Sequence, residues 1–191
     1  MDRTLPSMDL LRKFIHLSIC VFGFSLYYFD KKYCLPLFLV IGISFIALDL
    51  IRIKNDKVNK FFYKFFGFVS RDYEKKRLTG ASYAFLAIMI TSTLFNVKIA
   101  SASIVILSIS DVLASYVGIK IGKFKVLNKT LEGSLAFFIS TAIILICFGF
   151  SSIQIIIVSL GCTVMELLSD KVNVDDNLSV PIIGAVLLRL L

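Results

Sequence analysis

Apolar runs alternate with short polar connections along this chain, and the runs have the length of membrane-crossing helices. A helix needs roughly 20 apolar residues to cross a bilayer, with a range of about 17–25. The pattern predicts spans over 14–29, 33–53, 80–97, 99–118, 133–150, 153–169 and 177–191. The expected architecture is all-α: a polytopic membrane protein of about seven transmembrane helices, forming one integral membrane domain over 1–191. The last stretch is short and carries Arg189 almost at its end, so it tilts, stops partway or packs on its neighbours. No A-x-A-like cleavage site follows the first run, which therefore reads as a retained helix.

Composition agrees with this layout. The chain is 58% hydrophobic, with a mean hydropathy of +0.88, which argues against a water-soluble globular domain. The net charge of +8 does not point to nucleic acid, because the basic residues lie between apolar runs rather than on a soluble face. Seventeen of the 21 Lys and Arg residues fall in alternate connections counted from the N-terminus. The positive-inside rule then places the N-terminus in the cytoplasm. Richness in Ile, Lys and Phe suits an AT-rich prokaryotic genome, and hence a cytoplasmic (inner) membrane location. Cys20, Cys34, Cys147 and Cys162 lie in apolar segments without a CxxC pairing and read as small buried hydrophobes.

Orientation gathers the polar clusters on one face. Arg12, Lys13 and His16, the only histidine, open the first span, with Arg12 and His16 four residues apart on one helical face. The connection from Arg52 to Thr79 mixes nine basic residues with Phe61, Phe62, Phe65, Phe66 and Phe68, a composition suited to an amphipathic helix in the interface. Its end, Arg71 to Gly80, sets Asp72 and Glu74 among four bases; Glu74 either binds metal, fixes a lysine or joins a solvated salt-bridge run. Asp49 stands three residues before Arg52 and reads as its pairing partner.

The stretch from Asp111 to Gly133 is the centre of the pattern. Asp111, Ser115, Gly118 and Gly122 follow the i, i+4, i+7, i+11 spacing and share a face that is small and carries one anion. Lys120, Lys123, Lys125 and Lys129 follow, with the charge a phosphate needs, before Thr130, Leu131, Glu132 and Gly133. Small residues also pack membrane helices, and basic residues also mark a cytoplasmic loop. Glu166, Asp170, Asp175, Asp176 and Asn177 form a second, acidic pole; such oxygen ligands suit Mg²⁺, and an acidic turn also caps a following helix. The chain has no GxxxxGK[ST], GxGxxG, HExxH or GxSxG motif, which excludes the standard soluble nucleotide folds.

At these residues the sequence resembles the CTP-dependent polyprenol kinase family of membrane enzymes, which includes dolichol kinase, phytol kinase and a CTP-using diacylglycerol kinase. The family motif D-x-x-A-x-x-x-G-x-x-x-G, a basic spacer and K-T/S-x-E-G is matched by Asp111, Ala114, Gly118, Gly122, Lys129, Thr130, Glu132 and Gly133. The Arg12-Lys13-x-x-His16 start, the Glu74 to Gly80 element and the run Asp176 to Pro181 also look like family elements in order, so the likeness covers nearly the whole chain. Ser110 stands where a glycine commonly precedes the aspartate, and Asn128 occupies a place often basic. The resemblance implies transfer of the γ-phosphoryl group of CTP to the hydroxyl of an isoprenoid alcohol or diacylglycerol at the cytoplasmic face. It further implies Mg²⁺ held by Asp111 with Asp176 or Asn177, and a triphosphate neutralised by Lys123, Lys125 and Lys129. Gly118 and Gly122 would let backbone approach it, and His16 or an acid would take the hydroxyl proton. A CTP:phosphatidate cytidylyltransferase is the alternative, although its K-D-x-G-x-x-I-P-G-H-G-G-like ending is missing here. A noncatalytic transport or assembly protein would leave the acidic pole unexplained.

Overall fold

The computed structural model describes residues 12, 13, 15–67, 70 and 72–191, apart from the side chains at 72, 73 and 170. Phe14, Phe68 and Arg71 lie outside the described residues, as do the side chains of Asp72, Tyr73 and Asp170. Eight α-helices carry the described part of the fold. They are α1 (Cys20–Tyr28, preceded by helical residues 15–18), α2 (Lys31–Lys54), α3 (Asp56–Phe66), α4 (Gly80–Leu94), α5 (Val97–Ile121), α6 (Leu131–Cys147), α7 (Ser152–Val172) and α8 (Asp176–Leu190). Every apolar stretch expected to span falls on one of these helices. Three are long and apolar enough to cross a membrane, over Lys31–Lys54, Val97–Ile121 and Ser152–Ser169, while Ile15–Tyr28, Gly80–Leu94 and Leu131–Cys147 are shorter.

Two features lie between the expected spans, the first of them a helix of the kind that the composition of the 52–79 connection suits. α3 is a separate eleven-residue helix that starts where Asn55 breaks α2 and accepts the N–H groups of Lys57 and Val58. Its exposed Phe61, Phe65 and Phe66 alternate with lysines in the manner of an interfacial helix. The other is a two-stranded antiparallel hairpin, β1 (Lys125–Val126) and β2 (Lys129–Thr130), with Val126 opposite Lys129. The short basic spacer gives no period-2 pattern long enough to announce it.

α5 is the axis of the bundle. Its first half is buried almost continuously from Ile99 to Ser108, with small serines and alanines between isoleucines, so α1, α4, α6 and α8 all pack on it. Gly23 of α1 lets that helix approach, since a Cβ there would stand 3.0 Å from the Ser101 carbonyl oxygen. Phe22 joins α1 to α2 and α4 through edge contacts with Phe38 and Phe85 at 5.3 and 5.2 Å.

Connections sort to the two ends. At one end, Lys31 donates to the Phe95 carbonyl (2.9 Å), Lys98 to the Gly149 carbonyl (2.8 Å) and Arg189 to the Leu94 carbonyl (3.5 Å). These cations answer carbonyls that helix ends leave without partners. An open cavity of about 580 Å³ between Lys98, Phe150, Gln154 and Arg189 lies there. The other end collects the beginnings of α4, α6 and α8, and with them nearly all the residues singled out by sequence.

Candidate functional site

Asp111 sits on α5 ten residues before its end, and His16 reaches it from the helical residues that precede α1. His16 Nε2 lies 3.5 Å from Asp111 Oδ2 and 3.1 Å from the Leu107 carbonyl oxygen. A carbonyl only accepts, so the contact with Leu107 is a hydrogen bond when His16 Nε2 carries the hydrogen. Arg12 and Lys13 are half-buried in the same stretch of chain.

The hairpin delivers Lys129. Glu132, in the first turn of α6, accepts the backbone N–H groups of Lys123 (2.9 Å) and Phe124 (3.3 Å), which closes the loop after α5. The Lys123 N–H, with further backbone donors behind it, holds the Glu132 carboxyl below its ordinary pKa. The reversal at Leu127 and Asn128 places Leu127 at φ 56°, in the left-handed region that a branched side chain rarely occupies. Thr130 then caps α6 by accepting the Gly133 N–H (3.2 Å). With both strands so anchored, the Lys129 ammonium lies 2.5 Å from Glu166 Oε1 on α7 and 3.2 Å from Asp176 Oδ2 on α8. Burial works against this charge, but the carboxylates of Asp176 and Glu166 outweigh it and raise the Lys129 pKa.

The glycines expected beside a phosphate pack helices. A Cβ at Gly118 would stand 2.8 Å from Thr130 Oγ1, and one at Gly122 would meet the same side chain at 2.7 Å. A Cβ at Gly133 would lie 2.8 Å from the Ala114 carbonyl oxygen and 3.4 Å from the Gly118 Cα. Ala114, Gly118, Gly122, Thr130 and Gly133 are thus one close α5–α6 contact that holds the hairpin in place. Lys123 and Lys125 lie on the exposed side of that hairpin.

The acidic pole is graded from surface to interior. Side-chain exposure is 34% for Asp111, 21% for Asp176 and 5% for Glu166, so the first two reach the surface and the third lies in the interior. Glu166 Oε2 is buried with no hydrogen-bond partner among the described residues. Asp175 caps α8, accepting from the Asn177 N–H (3.0 Å) and side-chain amide (2.7 Å). Pro181 has no N–H to offer the Asn177 carbonyl four residues back, so that oxygen lacks its usual helical donor. Among the described residues, no three His, Cys, Asp or Glu side chains stand close enough together to hold a metal ion by themselves.

Glu74 joins this end through α4. It is buried, and its Oε1 accepts from the Gly80 N–H at 3.3 Å. A Cβ on Gly80 would stand 3.7 Å from that oxygen and 3.1 Å from the Asn177 amide nitrogen, so only a glycine lets α4 and α8 begin side by side.

What orders Glu74 was underrated by sequence reasoning. Arg52 is 1% exposed and pairs with Asp49 at 2.9 Å. It also donates to the carbonyls of Glu74 (3.1 Å) and Arg77 (2.8 Å) and lies over the rings of Phe62 and Tyr63. The second Asp49 oxygen accepts from the Thr79 N–H (2.6 Å), the Thr79 hydroxyl (2.9 Å) and the Ser82 hydroxyl (2.7 Å). An acid and a base three residues apart inside an apolar run were the available signal.

Comparison with known proteins adds relatives. No family model matches the sequence, and no solved structure matches it. The chain is 38% identical over 181 residues to the uncharacterized protein RP860 of Rickettsia prowazekii, covering 90% of this chain and 88% of that one. It is 34% identical over 190 residues to the uncharacterized protein MJ1137 of Methanocaldococcus jannaschii, covering 95% of this chain and 93% of that one. Likeness of that degree, running nearly end to end in both a bacterial and an archaeal protein, places this chain in the family that RP860 and MJ1137 represent.

Proposed function

We propose that this protein is a CTP-dependent lipid kinase, acting at the cytoplasmic face of a prokaryotic inner membrane on an isoprenoid alcohol or diacylglycerol. One observation carries the reading: the basic hairpin and the acidic pole meet at Lys129, between Glu166 and Asp176, a few residues from three helix beginnings. A metal–nucleotide site needs this combination of carboxylates for the metal, a cation for the phosphates and helix N-termini whose partial positive charge favours anions.

Mg²⁺ fits the donors present. They are all oxygens, and among the described residues the buried Glu166 Oε2 lacks the partner that a carboxylate in such a place requires. Mg²⁺ is usually held by one or two carboxylates plus substrate phosphates and water, so a site without three converging protein ligands suits it. One or two of Asp111, Asp176, Asn177 and Glu166 would hold it, with phosphate and water oxygens completing the set. When bound, it would neutralise charge on the transferring phosphoryl group. Lys129, with Lys123 and Lys125 from the exposed side, would offset the remaining phosphate charge. Gly118 and Gly122 contribute by letting α6 seat the hairpin.

In the reaction, the bond from the lipid hydroxyl oxygen to the γ-phosphorus forms as the bond from that phosphorus to the bridging β-γ oxygen breaks. The hydroxyl proton passes to a nearby base, and lipid monophosphate and CDP leave. His16 or an acid of the site that does not hold the metal is the candidate acceptor.

The test uses membranes containing the protein, Mg²⁺ and a panel of polyprenol, phytol, diacylglycerol and phosphatidate, with CTP labelled at the γ or the α phosphate. Label entering lipid only from γ-labelled CTP is the expected result. Label entering only from α-labelled CTP, with phosphatidate consumed, would instead make the protein a cytidylyltransferase. Label from neither, in folded protein, would favour a transport or assembly role.

A further inference from the structure

We propose that Lys129 is a stand-in cation, occupying the carboxylate site until a divalent ion and nucleotide arrive together and displace it towards the phosphates. The inference rests on the metal–nucleotide reading of this site and adds how the site is kept in its absence.

The geometry sets the competition. An ammonium within hydrogen-bonding distance of both Glu166 Oε1 and Asp176 Oδ2 holds the space between two carboxylates from two different helices. A Mg²⁺ or Mn²⁺ ion bridging those oxygens would need a separation of only about 2.1 Å from each. It could not share them with a lysine nitrogen, because two cations at that spacing repel strongly. Glu166 explains why a stand-in is required. Its side chain is 5% exposed, so with Lys129 removed it would be a buried charge with no counter-ion. Among the described residues its second oxygen lacks a partner even with Lys129 present, so the ammonium satisfies this carboxylate only in part. A divalent ion would satisfy it more fully.

Lys129 is also placed to leave. It stands on a two-residue strand, next to the turn whose Leu127 is held in the left-handed region, and its flexible four-carbon stem lets the ammonium turn without moving the backbone. Its side chain keeps 22% exposure and therefore a route to the surface where Lys123 and Lys125 lie. An intramolecular cation competes at high effective concentration. Bare metal should therefore bind the wild type poorly, and a nucleotide that offers the released lysine its phosphates should improve metal binding. Metal and nucleotide become mutually dependent.

The experiment titrates the purified full-length chain in detergent with Mn²⁺ alone, without CTP, and reads bound ion by electron paramagnetic resonance. Lys129→Met should bind Mn²⁺ about tenfold more tightly than wild type, and Lys129→Arg, which keeps a cation, should not. Equal or weaker binding by Lys129→Met would overturn the proposal. A second measurement needs no variant: acetylation of Lys129 in the wild type, followed by mass spectrometry, should accelerate at the high Mn²⁺ concentrations that saturate the site by electron paramagnetic resonance, whereas an unchanged rate at saturation would overturn the exchange. Tighter Mn²⁺ binding without γ-phosphoryl transfer would retain the exchange and remove the kinase reading. Transfer with unaltered Mn²⁺ binding would do the reverse.

Discussion

Arg52 and Asp49 form a buried ion pair in which every guanidinium nitrogen and both carboxylate oxygens have a hydrogen-bond partner, which is the condition under which such a pair is tolerated in an apolar bundle. Arg52→Met leaves the Asp49 carboxylate uncompensated and releases the carbonyls of Glu74 and Arg77. It should destabilise the protein by about 3–5 kcal/mol in denaturant unfolding, and the added change Asp49→Asn should restore part of that loss. Asp111 belongs to a different class of residue. It is one-third exposed and in range of His16, so Asp111→Asn should leave unfolding nearly unchanged while lowering label transfer from CTP at least about 100-fold. These two aspartates show what single residues disclosed in the sequence. Both are acids in apolar helices; the three-residue spacing to Arg52 marked Asp49 as its pairing partner, but nothing in the spacing showed that Thr79 and Ser82 seal it.

α5 and α6 meet through backbone, and that contact is unforgiving. Gly133→Ala would press a methyl group against the Ala114 carbonyl, which no rotamer change relieves; a loss of about 1–3 kcal/mol in unfolding stability is expected, with the hairpin loosened. The hairpin has a pH dependence of its own. Glu132 has a lowered pKa, so its contribution is complete above the ordinary glutamate range and disappears as pH falls through the lower folded value. Exchange of the Lys123 and Phe124 amide hydrogens, corrected for intrinsic rates, should accelerate in acid for the wild type and lose that acid step in Glu132→Gln. Elements were legible where periodicity was long. The helices beneath the expected spans sit close to their predicted bounds, whereas β1 and β2 have two residues each and owe their existence to Glu132 and Thr130 rather than to strand propensity. The run of small residues gave Gly118 and Gly122 their place near the site, but not the fact that Thr130 fills the space beside them.

Across the whole molecule, the proposed topology predicts that a reporter inserted in the connection near Ser70 reads as cytoplasmic and one inserted near Gly149 as external. The same location for both would remove the alternating arrangement on which the orientation rests. The length of the helices has a separate consequence. α4 and α8 have fifteen residues each, so each reaches only about 22 Å at 1.5 Å per residue, against a hydrocarbon thickness of about 30 Å. Both begin at the end that holds Lys129, Glu166 and Asp176, beside an α3 whose phenylalanines suit the headgroup boundary. Hydrophobic mismatch of this kind is relieved when lipids beside the short helices compress. Where the half-buried sides of α4 and α8 meet lipid, the bilayer would thin and the headgroup plane would dip. A lipid hydroxyl could then reach the phosphoryl donor while its chains stay in the membrane.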